Sequence, residues 1–192
     1  MTRRTALVVA AAILVSVIAI FVGWKSGQSR DNTEEGPAIE APELEVVDGQ
    51  TAPIELFYAG SDGELHSEQR EIPVQGDLVA LIERVVEELL VGPANEDLLP
   101  TLPPEFAVSW VHLNEAGVVY VDLEFTGEGS FPAWGSHQEM LAVFSVVNSL
   151  FANTPEISSV ILLRNGQKHP TFAGHLDTSR PLFANNQLVA TP

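Results

Sequence analysis

SHQEMLAVFSVVNSLFANTPEISSVILL, residues 136–163, is the stretch of this sequence that decides its fold. Ser136 is placed to cap a helix, and Glu139 three residues later completes a capping box. Apolar residues then recur at helical spacing, which predicts one face that packs on a partner: Met140, Val143, Phe144, Val147, Leu150 and Phe151. Asn153-Thr154-Pro155 ends the helix, because proline cannot continue it.

A short apolar run, residues 160–163, follows this helix and is bounded by the turn signal Arg164-Asn165-Gly166. The run predicts a fully buried strand. Since few residues join the helix to this strand, the helix is expected to lie across the sheet that holds the strand. The rest of the fold is built around this pair.

Composition excludes several classes of function. The chain has 192 residues and no cysteine, so disulfides, a thiol nucleophile and a thiolate metal site are excluded. Beyond Arg30 the sequence contains 5 basic and 26 acidic residues. Phosphate backbones and anionic lipid headgroups repel so acidic a body, which argues against a role in nucleic-acid binding.

The N-terminus is predicted to be attached to a membrane. Residues 1–5 form a basic cytoplasmic flank with Arg3 and Arg4, and residues 6–24 carry no charge. As a helix, this uncharged segment would span about 28 Å, close to the hydrocarbon core of a bilayer. We expect an uncleaved transmembrane signal-anchor, with the arginines holding the N-terminus in the cytoplasm. A cleavable signal peptide is the alternative.

The remaining chain divides into a linker, a domain and a tail. Residues 25–52 are acidic and contain several Pro and Gly, which predicts a flexible linker. The folded domain is predicted over residues 53–182, followed by a C-terminal tail, residues 183–192. Periodicity, caps and turns give the element order β-β-α-β-β-α-β-β. This order predicts an α+β fold in which two helices pack on one face of a mostly antiparallel sheet.

Several short motifs occur in one order along the predicted domain. They are Leu56-Phe57-Tyr58, Glu68-Gln69-Arg70, Leu89-Leu90-Val91-Gly92-Pro93, Leu102-Pro103-Pro104, Val119-Tyr120-Val121-Asp122-Leu123, Val147-Asn148-Ser149-Leu150 and the segment from Phe172 to Leu182. In these motifs the chain resembles the GerMN domain, the sporulation and spore germination domain of bacterial envelope proteins. The resemblance implies an exported, membrane-attached, non-enzymatic module of a multiprotein envelope assembly. This chain departs from the family pattern in lacking a lipobox cysteine and in carrying one copy of the domain rather than two.

Candidate catalytic and metal-binding residues are few. His169, His175 and Asp177 lie close in sequence and could hold a divalent ion, although a role in a turn or edge strand is favoured. No histidine pair has the spacing of H-E-x-x-H, and no serine lies in a G-x-S-x-G elbow. We therefore expect no catalytic residue, no cofactor and no metal.

Phe131 and Trp134 form the candidate interaction surface, because Phe and Trp are common at the centres of interfaces. The alternative is that both rings cover the base of the long helix. The expected function is protein–protein interaction in a bacterial envelope or sporulation assembly, by a non-enzymatic module anchored outside the cytoplasm through its N-terminal helix. The partners are then envelope proteins and the membrane, not nucleic acid. A cell-wall-associated hydrolase or ligand-binding accessory, using the region of His169, His175 and Asp177, is the alternative function.

Overall fold

The computed structural model of the protein describes residues 51–73, 76–128, 131 and 133–191. The elements are β1 (Thr51–Gly60), β2 (Leu65–Pro73), α1 (Leu78–Val91), β3 (Leu98–Leu99), β4 (Phe106–Leu113), β5 (Val118–Phe125), α2 (Ser136–Asn153), β6 (Ser159–Arg164) and a 3-10 turn (Asn186–Leu188). The α+β class and the predicted order as far as β6 are confirmed. The predicted membrane segment and nearly all of the linker lie outside the described residues. Within the described ranges, no helix combines the length and the apolar character needed to cross a bilayer.

The strands form two three-stranded sheets rather than one. The first sheet has the order β2-β1-β3 and the second has the order β4-β5-β6. All pairs are antiparallel except β5 and β6, which are parallel because α2 returns the chain to the end where β5 began. The strand predicted after β6 is present only as isolated bridges, such as the one between Val160 and Leu182.

Local sequence signals account for α1 and the β4–β5 hairpin. The side chain of Asp77 caps α1 by accepting a hydrogen bond from the backbone N–H of Ala80 at 3.0 Å. Gly92 ends α1 at φ +92°, a backbone conformation that residues with a Cβ rarely adopt. In the hairpin turn, Asn114 Oδ1 accepts hydrogen bonds from the backbone N–H groups of Ala116 and Val118. These local signals mark the start and end of α1 and the turn between β4 and β5.

α2 is buried on more than the one face that its sequence predicts. Its apolar side chains share one core with β5, β6 and α1, whereas Leu141 packs into a smaller cluster with Phe57, Ala59 and Leu65 of the first sheet. A helix that is apolar nearly all round is covered on several sides. Phe144, predicted to face the sheet, is half-buried because it lies at the boundary between the two clusters.

The polar side chains of α2 take the place of a missing strand beside β1. β3 pairs only with the last two residues of β1, so the backbone around Glu55 and Phe57 has no strand on that edge. Asn153 accepts from the N–H of Glu55 at 2.8 Å and donates to its carbonyl at 2.7 Å. Ser149 Oγ accepts from the N–H of Phe57 at 3.0 Å. Helix side chains therefore satisfy backbone groups that would otherwise be unpaired.

The segment after Leu182 belongs to the fold, which corrects the predicted domain limit at that residue. Asn148 of α2 accepts from the backbone N–H of Asn185 at 2.8 Å and donates to its carbonyl at 3.2 Å. The N–H of Ala190 donates to the carbonyl of Leu65 at 2.9 Å. Asn148 thus holds a neighbouring backbone, as is common for Asn on a helix surface.

We expect Asn153→Ala to lower the free energy of unfolding by roughly 1–3 kcal/mol, because the N–H and carbonyl of Glu55 would lose their partner. Urea denaturation followed by circular dichroism measures the change. Gln138→Ala is the matched control, since it removes an exposed amide from the same helix. Equal stability of the two variants would show that this edge of β1 does not need the helix side chain.

Candidate functional site

Trp134 lies in an aromatic cluster at the start of α2, not on the surface. Its side chain is 6% exposed, and its ring centroid lies 6.0 Å from that of Phe106 and 5.9 Å from that of Phe172. Phe125 and Phe131 complete the cluster, and the Arg164 guanidinium lies 4.2 Å from the Phe131 centroid. The structure therefore places Trp134 in the role of core residue, the alternative left open by the sequence.

Glu139 is fully buried and does not form the predicted capping box. The N-cap of α2 is Gly135, which has no side chain that could form a capping bond. Instead, the Glu139 carboxylate accepts from the backbone N–H groups of Ala173 and His175, each at 2.7 Å. It also contacts Nδ1 of His175 at 3.0 Å, and because an ionised carboxylate only accepts, Nδ1 carries the proton. A buried charge thus holds the loop around residues 172–176.

These hydrogen bonds keep Glu139 ionised. Burial alone would raise its pKa, but donors from the backbone of Ala173, Leu176 and His175, together with the His175 ring, hold the pKa below its ordinary value. A carboxylate satisfied in this way is a structural anchor for the loop. Its lone pairs are directed at the backbone and not into a cleft.

The structure does not bring His169, His175 and Asp177 together. His175 is directed at Glu139, whereas Asp177 Oδ1 accepts from the N–H of Ser179 at 2.9 Å and from its hydroxyl. The Ser179 bonds lower the pKa of Asp177. No group of three or more His, Asp or Glu side chains in the described residues is arranged to hold a metal ion.

A second charged network, partly buried, joins β2 to the end of α1, and sequence reasoning missed it. Arg70 pairs with Glu68 at 2.7 Å and with Glu88 at 2.9 Å, and it also donates to the carbonyl of Gly92. Burial opposes the charge on Glu68, but backbone donors from residues 94–95 and Arg70 hold its pKa below the ordinary value. Burial raises the pKa of nearby Tyr58 to about 12, and its hydroxyl donates to the carbonyl of Glu88.

Two open clefts border the aromatic cluster and share Phe125 and Gly127. The first, about 350 Å³, adjoins Glu105 and Trp134, and the second, about 430 Å³, adjoins Arg164 and His169. Thr101 lines the first cleft, but its hydroxyl is hydrogen-bonded to Ser145 of α2 at 2.6 Å. The described residues that line the clefts contain no nucleophile in contact with a base.

Trp110 is an exposed aromatic residue that sequence reasoning overlooked. The pairing of β4 with β5 shifts between Val108 and Trp110, and this bulge turns the Trp110 ring away from the core. Its side chain is 40% exposed. A run of alternating residues without the bulge would place Trp110 on the same face as Val108, so the pattern alone gave no sign of its exposure.

The family model for Germane, described as sporulation and spore germination, matches residues 55–170. The match spans more than half of the chain. This chain belongs to the Germane family. The Germane match includes Glu139 and Trp110 but ends at Pro170, before the loop that Glu139 holds.

Solved structures agree on the fold of the Germane domain. A candidate lipoprotein from Clostridium perfringens matches with TM-score 0.51 and 19% identity, covering 78% of this chain and 97% of that one. The first GerMN domain of the sporulation protein GerM from Bacillus subtilis matches with TM-score 0.54 and 19% identity, covering 69% of this chain and 98% of that one. The tandem GerMN domains of GerM match at 0.54 and 17%, covering 72% of this chain and 48% of that one. No curated protein matches the sequence.

We expect Glu139→Gln to destabilise the Germane domain by roughly 2–3 kcal/mol at neutral pH, because an amide cannot accept all the bonds that the carboxylate accepts. The folded pKa is lowered, so the unfolded state binds more protons in acid. The stabilising effect is therefore complete above the ordinary glutamate pKa of about 4.3, and it is lost as the pH falls through the lower folded value.

Melting temperatures of the wild type and of Glu139→Gln, measured from pH 7 down to pH 3, test this expectation. The difference between the two proteins should shrink as the solution becomes acidic. Glu115→Gln, which alters an exposed carboxylate in the hairpin turn, should match the wild type throughout. A difference that stays constant with pH would show that the charge of Glu139 does not hold the loop.

Trp134→Ala should cost roughly 3–5 kcal/mol of stability, because it removes a large ring from a packed aromatic cluster. Chemical denaturation of this variant provides the measurement. Trp110→Ala is the matched control, since the same ring is removed from an exposed position. If Trp134→Ala were as stable as the control, the ring would not be part of the core.

Proposed function

We propose that this chain is a membrane-anchored, extracytoplasmic module that acts by binding other proteins of a bacterial envelope assembly, one used in sporulation or germination. The observation that carries the proposal is membership of the Germane family, which is described by that process. The uncharged segment at residues 6–24 and its basic flank support the anchor. The fold shared with a candidate lipoprotein supports a location outside the cytoplasm.

A non-enzymatic role accords with the use of the buried polar groups. Glu139 holds the loop around residues 172–176, and Arg70 joins β2 to α1. Asn148 and Asn153 pair with the backbone of other segments. These groups stabilise the domain through their hydrogen bonds, and this leaves the surface as the part that meets a partner.

Single-cysteine variants test the topology. Because the chain contains no cysteine, Thr5→Cys and Ser67→Cys each introduce a single label site, one before the proposed anchor and one on the exposed surface of β2. A membrane-impermeant maleimide on intact cells should label position 67 and should reach position 5 only after lysis. Labelling of neither position in intact cells would contradict the orientation. Loss of position 5 from the mature protein would instead identify a cleaved signal peptide.

Photo-crosslinking in intact cells tests the proposed mode of action. A photoreactive residue at several exposed positions of the domain should give discrete crosslinked envelope proteins. The crosslinks should disappear when Trp134→Ala disrupts the core. If no position gives a crosslink while the domain is folded, protein binding is not its function.

Substitution of His175 and Asp177 tests the alternative, a cell-wall hydrolase or ligand-binding accessory. His175→Ala and Asp177→Ala should preserve both the crosslinks and the cellular phenotype wherever the domain still folds. His175 is the more demanding case, since its ring contacts Glu139 and its loss can loosen the loop. Loss of activity in a folded Asp177→Ala protein would favour the alternative, because this side chain is exposed and bonded only locally to Ser179.

A further inference from the structure

The second sheet has one face in the main core, and its other face is exposed in part. On this outer face Trp110, His112 and Glu124 are exposed, whereas Asp122, Ile161 and Leu163 are buried. Val119, Val121 and Leu123 of β5 are fully buried in the main core. Because side chains alternate along a strand, Tyr120, Asp122 and Glu124 lie on the opposite face. The bulge in β4 places Trp110 on this outer face, directly opposite Asp122.

The outer face combines aromatic rings with negative charge. His112 lies opposite Tyr120, and their ring centroids are 6.1 Å apart. Glu124 is exposed, and the carboxylate of Asp122 is buried against the backbone N–H of Gly166 at 2.8 Å. The outer positions of β4 and β5 contain no lysine or arginine. The exposed part of the face therefore offers aromatic rings and one free carboxylate, that of Glu124.

We propose that this outer face, centred on Trp110, binds a cationic polypeptide segment of the envelope partner. The inference rests on the proposed protein-binding function and specifies its surface and its ligand chemistry. A guanidinium or ammonium group over Trp110 gains a cation–π interaction. The exposed carboxylate of Glu124 lies on the same face of the sheet, two residues from Asp122, which pairs with Trp110. Tryptophan is also among the residues that contribute most to binding at interface centres.

Charge complementarity selects this occupant over the others. After residue 53 the chain has 19 acidic and 5 basic residues, so an anionic bilayer surface is repelled. A second copy of the chain would bring one acidic face onto another, since an isologous contact pairs each patch with itself. A basic segment avoids both kinds of charge repulsion, because its charge is opposite to that of the domain.

The test uses the full chain in a mild nonionic detergent and a fluorescent peptide of alternating arginine and serine. Fluorescence anisotropy at physiological salt measures the peptide's Kd. Trp110→Ala should weaken binding by about fivefold to tenfold, the range of a partly desolvated cation–π contact. The control Leu99→Ala removes an exposed apolar residue from the first sheet, 55% exposed, and should change the Kd less than about twofold.

Charge reversal provides a second pair of variants that does not depend on the tryptophan. Glu124→Lys and Glu96→Lys change the net charge equally, and both positions are exposed. If the peptide binds at the outer face, only Glu124→Lys should abolish binding. If the peptide is attracted only by the net charge of the domain, both variants should weaken binding to the same extent. Equal effects within either pair of variants would overturn the proposal.

Other occupants appear as distinct results. Trp110-dependent binding to vesicles of phosphatidylglycerol and phosphatidylcholine would assign the face to a membrane. A dimer in sedimentation that Trp110→Ala dissociates would assign it to a second copy. Either result would overturn the proposal that a cationic segment binds this face. Crosslinks from positions elsewhere on the domain, but none from position 110, would contradict the proposed binding face and leave the proposed protein-binding function standing. If no position gave a crosslink, both the binding face and the protein-binding function would be contradicted.

Discussion

The fold depends on hydrogen bonds made by the polar side chains of α2. Four segments of the chain are held by polar side chains of this helix. Ser149 and Asn153 hold the open edge of β1, and Asn148 holds the segment after Leu182. Ser145 holds the loop around Thr101, and Glu139 holds the loop around residues 172–176. α2 is therefore both the centre of the core and the scaffold for its irregular segments.

Hydrogen bonds of this kind define a unique position for the helix. Apolar packing alone tolerates small rotations and shifts, because one methyl contact can replace another. A buried donor or acceptor that loses its partner costs roughly 1–3 kcal/mol, and a charged one costs more. Rotation of α2 would break bonds of Glu139, Asn148 and Asn153 together. The buried polar residues thus make the arrangement of α2 specific, and the apolar residues make it stable.

Local signals made much of this fold predictable. Periodicity predicted both helices, a turn signal predicted the β4–β5 hairpin, and an apolar run predicted the buried strand β6, because these features depend on neighbouring residues in the sequence. The division into two sheets and the partner of Glu139 depend on contacts between residues far apart. A capping box and a loop anchor require the same glutamate at the same position, so the sequence could not distinguish them. The exposure of Trp110 depends on a bulge that the alternation pattern conceals.

Three of the five basic residues after residue 53 have partners within the domain. Arg70 and Arg84 are paired with acids, and Arg164 lies against Phe131 within the aromatic cluster. Lys168 and Arg180 lie in the segment after β6, where their charges help the Ser179 hydrogen bonds to lower the pKa of Asp177. The outer positions of β4 and β5 include the exposed Glu124 and contain no lysine or arginine. In the proposed interaction, negative charge attracts a cationic segment before contact, and the exposed ring of Trp110 then forms a cation–π contact with it.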